Sequence, residues 1–448
     1  MPDTTVTDIA HAVRQVAYPL VGATSDYEPL MDLVGDARLV LLGEATHGTH
    51  EFYEQRAEIT KRLIQEKGFA AVAVEADFPD GYRVNRFVQS SSGDLAPEEA
   101  LEGLRQFPGW MWRNTDVVNF VGWLRQYNDT LSSGGSKVGF YGLDLYSMYT
   151  SIGEVLKYLD RVDPEAAQRA RDRYACFEYF EGDSQEYGYI ASLDAEESCR
   201  DETVNQLLEL QQQTAKYFQR DSQTAANEFF YAEQNARLVK NAEEYYRSMF
   251  QGRVDSWNVR DRHMAETLEQ LMAHLGRQGM SNKIVVWEHN SHIGDARATD
   301  MGQIGEWNVG QLVRERHGKE AVLVGFTTYT GTVTAASNWG EPSQVKQVQP
   351  ALPDSYEALF HSTELPCFLL NLRSNNQAVA ALRQKRLERA IGVIYRPTAE
   401  RQSHYFYACL PDQFDAIIHI DETQAVEPLD RGSPQETGEA PETFPSAL

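Results

Sequence analysis

Apolar positions in this chain fall into two rhythms. Short apolar runs at 39–42 (Leu-Val-Leu-Leu), 70–74 and 138–141 read as buried strands. Between the first two, residues 51–67 place Phe52, Ile59 and Leu63 on one side of a helix, and Gly68 follows as its C′ residue. A second helix is predicted from Asp116 to about Tyr127, with Thr115 as N-cap and Val117, Phe120, Val121 and Leu124 inward. Strands alternating with helices predict an α/β fold, a mainly parallel sheet flanked by helices. From 151 to 279 the pattern becomes almost continuously helical and rich in Glu, Gln, Ala and Arg. This stretch reads as a helical insertion or subdomain, serving as a lid, a substrate wall or a dimer surface. Strand patterns return at 284–286, 321–326, 368–370, 391–395, 405–410 and 416–420. The expected organisation is one α/β domain over 1–421, then a disordered acidic tail over 422–448, rich in Pro, Glu and Gly.

The charge balance narrows the partners. Forty-one basic against 66 acidic residues leave −25. Such a surface repels phosphate backbones and anionic lipid, so neither nucleic acid nor a membrane is expected as partner; a homo-oligomer is compatible with it. Cys176, Cys199, Cys367 and Cys409 include no CxxC pair and read as buried small hydrophobes or free thiols, not as a disulfide framework or a zinc site. The N-terminus has no basic start followed by an apolar run, and no stretch is long enough to span a bilayer. A reducing, cytoplasmic location is the expectation.

The chemistry gathers just past the strands. Glu44 and His47 follow the first, Glu75 and Asp77 the second, Asp144 the third, and Glu288, His289 and His292 the strand after the helical region. In an open α/β sheet these positions border the ligand crevice. Imidazole is well poised to take a proton near neutral pH, and a neighbouring carboxylate can orient it and stabilise its charged form. Arg56, two turns into the helix after His47, could reach the same cleft. Each element also has a plain structural alternative. Glu44 and His47 could cap the next helix, an isolated HxxH arises by chance, Glu75 could pair with a core arginine, and Asp144 with Arg260-Asp261 could hold helix ends. Trp110 and Trp112 are commonly packing residues, but their Pro-Gly setting suggests a loop and a substrate wall. The joint arrangement favours function over any single residue.

The segments Gly43-Glu44-Ala45-Thr46-His47-Gly48, Val74-Glu75, Tyr141-Gly142-Leu143-Asp144, the stretch 258–264 with Arg260-Asp261, and Trp287-Glu288-His289-Asn290-Ser291-His292 together resemble the erythromycin esterase family, which includes succinoglycan biosynthesis-like proteins. The resemblance covers most of 25–422. It implies an α/β core with helical additions around a deep cleft, and a histidine base that activates water to open a macrolide lactone without an essential metal or other cofactor. By motif position, His47 is the base, Glu44 and Glu75 orient it or the water, and Arg56, His289 and His292 complete the site. Asp144, Trp110 and Arg260 are the expected substrate-binding residues. The chain contains no Gly-x-Ser-x-Gly elbow, which argues against an acyl-serine hydrolase.

Two other readings compete. Glu44, His47, Glu75, His289 and His292 are good zinc or manganese ligands, so a metal-dependent hydrolase of another ester or amide fits the same residue types. A non-enzymatic pocket for a small ligand fits less well, because binding pockets need fewer ionisable groups.

Overall fold

The structure is a computed structural model describing residues 6–105, 108–132, 135–180, 182–193, 198–213 and 223–430. Its strands are β1 (Tyr18–Pro19), β2 (Leu39–Leu42), β3 (Ala71–Asp77), β4 (Gly139–Asp144), β5 (Ile284–Trp287), β6 (Ala321–Ala335), β7 (Gln344–Val348), β8 (Cys367–Asn371), β9 (Arg386–Arg389), β10 (Tyr405–Ala408) and β11 (Ala416–Thr423). Nine form one sheet in the order β1-β8-β11-β6-β2-β5-β3-β4, with β7 paired to β6. The six strands from β11 to β4 run parallel; the antiparallel pairs are β1–β8 and β8–β11 at one end and β7 on the last stretch of β6. The fold is therefore the α/β class the apolar pattern predicts.

Helices cover both faces. The alternation of side chains along a strand sends Leu39 and Leu41 into one apolar layer and Val40 and Leu42 into the other. The Val40 layer packs against α1 (His50–Lys67), α2 (Phe78–Val88) and α3 (Thr115–Thr130). The Leu39 layer packs against α4 (Met148–Val162), α5 (Gln223–Met249) and α6 (Arg253–Arg277). These last three frame the helical region expected from 151 to 279. Gly68 closes α1 with φ 71°, where a residue without Cβ is at ease.

Several local expectations are corrected. The N-cap of α3 is Asn114, whose side chain accepts from the Val117 N–H; Thr115 is already helical. Residues 391–395 form only isolated bridges, Thr46 with Ile391 and Ala336 with Ile394. Here buried apolar residues fill a loop packed on the β2 turn, a setting that periodicity cannot separate from a strand. The segment expected as a tail from 422 starts out packed. Strand β11 reaches Thr423, the His50 N–H donates to the Gln424 carbonyl, and Arg113 pairs with Asp430 at 2.7 Å. The remainder, 431–448, lies outside the described residues. Cys176 and Cys199 form a disulfide, with Cα atoms 6.0 Å apart, whereas Cys367 and Cys409 are free. Pairing depends on tertiary approach, and a separation of 23 residues carried no sign of it.

Candidate active site

Sheet order builds the site. Strand β5 lies between β2 and β3, so the turn after Trp287 sits between the turn after Leu42 and the end of β3. Asn290 stitches these ends together. Its main-chain N–H donates to the Glu44 carbonyl (2.9 Å), its side-chain amide to the Phe326 carbonyl (2.7 Å), and its side-chain oxygen accepts from the Phe326 N–H (3.2 Å). Gly43 must lack a Cβ, because one would strike the Asn290 side chain. Gly48 lies against the Thr334 main chain, and its carbonyl accepts from the N–H groups of Thr334 and Val426, both at 3.0 Å. The His47 loop is thus clamped from three sides of the sequence.

At the centre, His47 Nδ1 lies 2.8 Å from one Glu44 oxygen, and Arg56 pairs with the other at 2.7 Å. The Arg56 guanidinium is fully buried between the rings of Tyr53 (4.4 Å) and Trp287 (5.1 Å). The Tyr53 hydroxyl sits 2.9 Å from the His47 carbonyl and 2.8 Å from that of Met111, fixing the loop from below. The His289 ring lies 4.7 Å from the His47 ring, centroid to centroid.

A second network stands behind these. Arg260 on α6 bonds Glu75 (2.8 Å) and Asp144 (2.6 Å). His292 Nδ1 lies 3.0 Å from both Asp261 oxygens, and its Nε2 lies 3.4 Å from Glu75. The Trp257 ring stacks on His292 at 4.6 Å, nearly parallel. The other Glu75 oxygen accepts the His289 main-chain N–H at 2.8 Å. Burial and the Arg260 guanidinium, 3.1 Å from its Nε2, lower the His292 pKa, but the carboxylates of Asp261 and Glu75 outweigh them and raise it to about 10. Burial pushes Glu75 up, yet His292, His47 and Arg260 hold it well below the carboxylate range. Burial raises Asp261, opposed by His292 and Arg260. Burial, with the charges of His47 and His292, holds His289 well below its ordinary value. Burial also pushes Glu288 well above a normal glutamate; neither of its carboxyl oxygens has a hydrogen-bond partner among the described residues.

Glu44, His47, Arg56, Glu75, His289 and His292 are therefore brought together, and Asp144 and Arg260 join them as an ion pair in the second network. Trp110 lies apart, in the apolar layer under α3, while Trp112 donates its indole N–H to the Glu75 carbonyl at 2.8 Å. Tyr53 and Trp257 carry no signal in the residue-type pattern because they meet Met111 and His292, distant in sequence; Ser291 meets His289 two residues away, and Asp261, expected at a helix end, faces His292. The cluster is enclosed: His47 is 3% exposed and His289 1%. Cavities of about 720 and 910 Å³ open elsewhere, and neither is lined by a residue of the cluster. Among the described residues no three His, Cys, Asp or Glu side chains are grouped so as to hold a metal ion. No helix among them is long and apolar enough to cross a membrane.

A mostly parallel α/β sheet with paired histidines and carboxylates at its carboxyl edge defines a class of proteins suited to acid–base chemistry. The erythromycin esterase family model matches residues 64–423, and the chain belongs to that family. It is 24% identical over 328 residues to erythromycin esterase type II of Escherichia coli, covering 69% of this chain and 73% of that one. The fold matches the crystal structure of a succinoglycan biosynthesis protein with a TM-score of 0.77 at 22% identity, covering 95% of this chain and 100% of the other. It also matches an erythromycin esterase mutant in its open conformation, with a TM-score of 0.65 at 18% identity over 89% and 93% of the two chains. Family membership supports a hydrolase of the erythromycin esterase type.

Proposed function

We propose that this protein hydrolyses a carboxylic ester, with a macrolide lactone as the leading candidate, using water activated by His47. The observation that carries the reading is the buried Arg56–Glu44–His47 chain, with contacts of 2.7 and 2.8 Å. When His47 Nδ1–H donates to Glu44, the basic lone pair lies on Nε2. That nitrogen takes a proton from water as the water oxygen bonds to the ester carbonyl carbon. The resulting imidazolium is stabilised by the Glu44 carboxylate in an enclosed, low-dielectric setting. Arg56 pairs with Glu44 at 2.7 Å and keeps it in place. Collapse of the tetrahedral intermediate breaks the carbon–oxygen bond to the alcohol, which receives the proton from His47. A lactone would open to a hydroxy acid heavier by one water.

The test is mass spectrometry of a 14-membered macrolide incubated with chelator-treated protein and with His47→Ala. The expected result is a product heavier by one water with the wild type and at least a ~100-fold slower reaction with the variant. An ester panel run in parallel identifies the substrate class if the macrolide is untouched. Full activity in His47→Ala would remove the proposed base, and activity that chelation abolishes and added metal restores would replace the metal-free scheme.

A further inference from the structure

His289 differs from His47 in one decisive respect. The Ser291 main-chain N–H donates to His289 Nδ1 at 3.2 Å, and the Ser291 hydroxyl lies 2.8 Å from the same nitrogen. A main-chain N–H can only donate, so Nδ1 is an acceptor. A neutral imidazole carries one ring proton, which must then be on Nε2. That Nε2 is buried and has no hydrogen-bond partner among the described residues. A buried donor without an acceptor costs about 1–3 kcal/mol, so the folded protein holds it there at a loss that an incoming acceptor would recover. Its ring stands beside that of His47, where water would be activated.

We propose that His289 Nε2–H is the hydrogen-bond donor to the oxyanion formed when water adds to the substrate carbonyl, and that Ser291 positions it by locking this tautomer. The inference rests on the ester-hydrolase reading above. As the water oxygen bonds to the carbonyl carbon, the π pair moves onto the carbonyl oxygen and the water proton goes to His47. His289 keeps its proton throughout. Re-formation of the carbonyl then expels the alcohol oxygen, which takes the proton from His47. A shuttle through His289 Nδ1 would require breaking both contacts with Ser291. The rest of the turn opposes that movement: the His289 N–H is held by Glu75 at 2.8 Å, and the Ser291 carbonyl accepts from Asn308 at 2.7 Å. Burial and the neighbouring charges of His47 and His292 disfavour a second proton on the ring.

The experiment has two readouts on the full chain. Nitrogen-15 histidine NMR, with His289→Ala to assign the signal, is expected to show the neutral Nε2–H form of His289 from pH 6 to 8. An Nδ1–H form or an imidazolium would overturn the assignment without reference to activity. Kinetics on an ester hydrolysed by the wild type then separates the substitutions. A Gln amide lies near the place of Nε2 and an Asn amide near that of Nδ1. His289→Asn is expected to lower kcat by about 100–1,000-fold with little change in KM, and His289→Gln by about tenfold. Equal loss in both variants would overturn the donor role. Ser291 is partly exposed and supplies a second pair of variants should those at 289 not fold. Ser291→Ala keeps the main-chain donor and should keep the Nε2–H signal. Ser291→Pro removes both the main-chain donor and the hydroxyl, should release the proton to Nδ1, and should lower kcat with KM retained. An unchanged tautomer and kcat in Ser291→Pro would remove Ser291 as the positioning residue. If the wild type hydrolyses no ester, the oxyanion role falls with the functional reading, while the NMR result still decides the tautomer.

Discussion

Asp261→Asn tests whether the fold contains a permanent imidazolium. Asp261 lies 3.0 Å from His292 Nδ1 through both oxygens, and both residues are buried. The His292 pKa moves from 6.5 to about 10, against the pull of burial and of the Arg260 guanidinium 3.1 Å from its Nε2, with Asp261 the largest raising influence. The full shift corresponds to roughly 5 kcal/mol in favour of the charged form. Asn retains the shape and an oxygen for the Val309 N–H, now 3.0 Å from Asp261, but removes the charge. The substitution should cost about 3 kcal/mol at pH 7, in the range seen when one member of a buried pair is removed. The pH dependence is sharper evidence than the size. A raised folded-state pKa gives stability that is complete below pH 6.5 and is lost as pH rises towards 10. Between these values the unfolded chain has released the proton and the native one has kept it. The wild type should therefore lose about 1.4 kcal/mol per pH unit from this group, while the variant should not. Urea unfolding of both proteins at pH 7, 8 and 9 should show the gap between them closing steadily. A gap constant across that range would mean that His292 is not held as a cation by Asp261, and the electrostatic account of Glu75 would fall with it.

Two other outcomes follow from packing and cross-linking. Gly48→Ala would drive a Cβ into the Thr334 main chain, so it should destabilise by at least about 1–3 kcal/mol and disturb the His47 loop; a melting temperature and kcat equal to wild type would refute that clamp. Reducing the Cys176–Cys199 bond, which closes a separation of 23 residues, should cost about 3 kcal/mol by the chain-entropy argument; denaturant curves with and without reductant, checked by thiol counting, should separate accordingly.

Much of the molecule was legible in the sequence because its signals are local. The run Leu39-Val40-Leu41-Leu42 sends alternate residues into two apolar layers, and that is what a strand buried on both faces needs. The 3.6-residue period and Gly68 marked the helix after His47 for equally local reasons. Glu44, His47, Glu75, His289 and His292 stand out as candidates because strand ends seldom carry so many ionisable groups, and the fold brings them together. The buried loop at 391–395 carries a strand-like apolar run because its residues answer to a tertiary neighbour, the turn after β2, and not to a ladder.

What the sequence alone determined is the class of fold and the chemical types at the strand ends. Periodicity and turn residues act over a few positions and need no knowledge of the rest of the chain. What only the tertiary structure decided is who faces whom. The return of β5 into the slot between β2 and β3, after more than two hundred intervening residues, set His289 beside His47. The placing of α6 over that edge gave His292 its Asp261 and Glu75 its Arg260. Hydrogen bonds and charge–charge contacts fall off within a few ångströms, so imidazoles at neighbouring strand ends acquire different surroundings only when the folded chain supplies their neighbours.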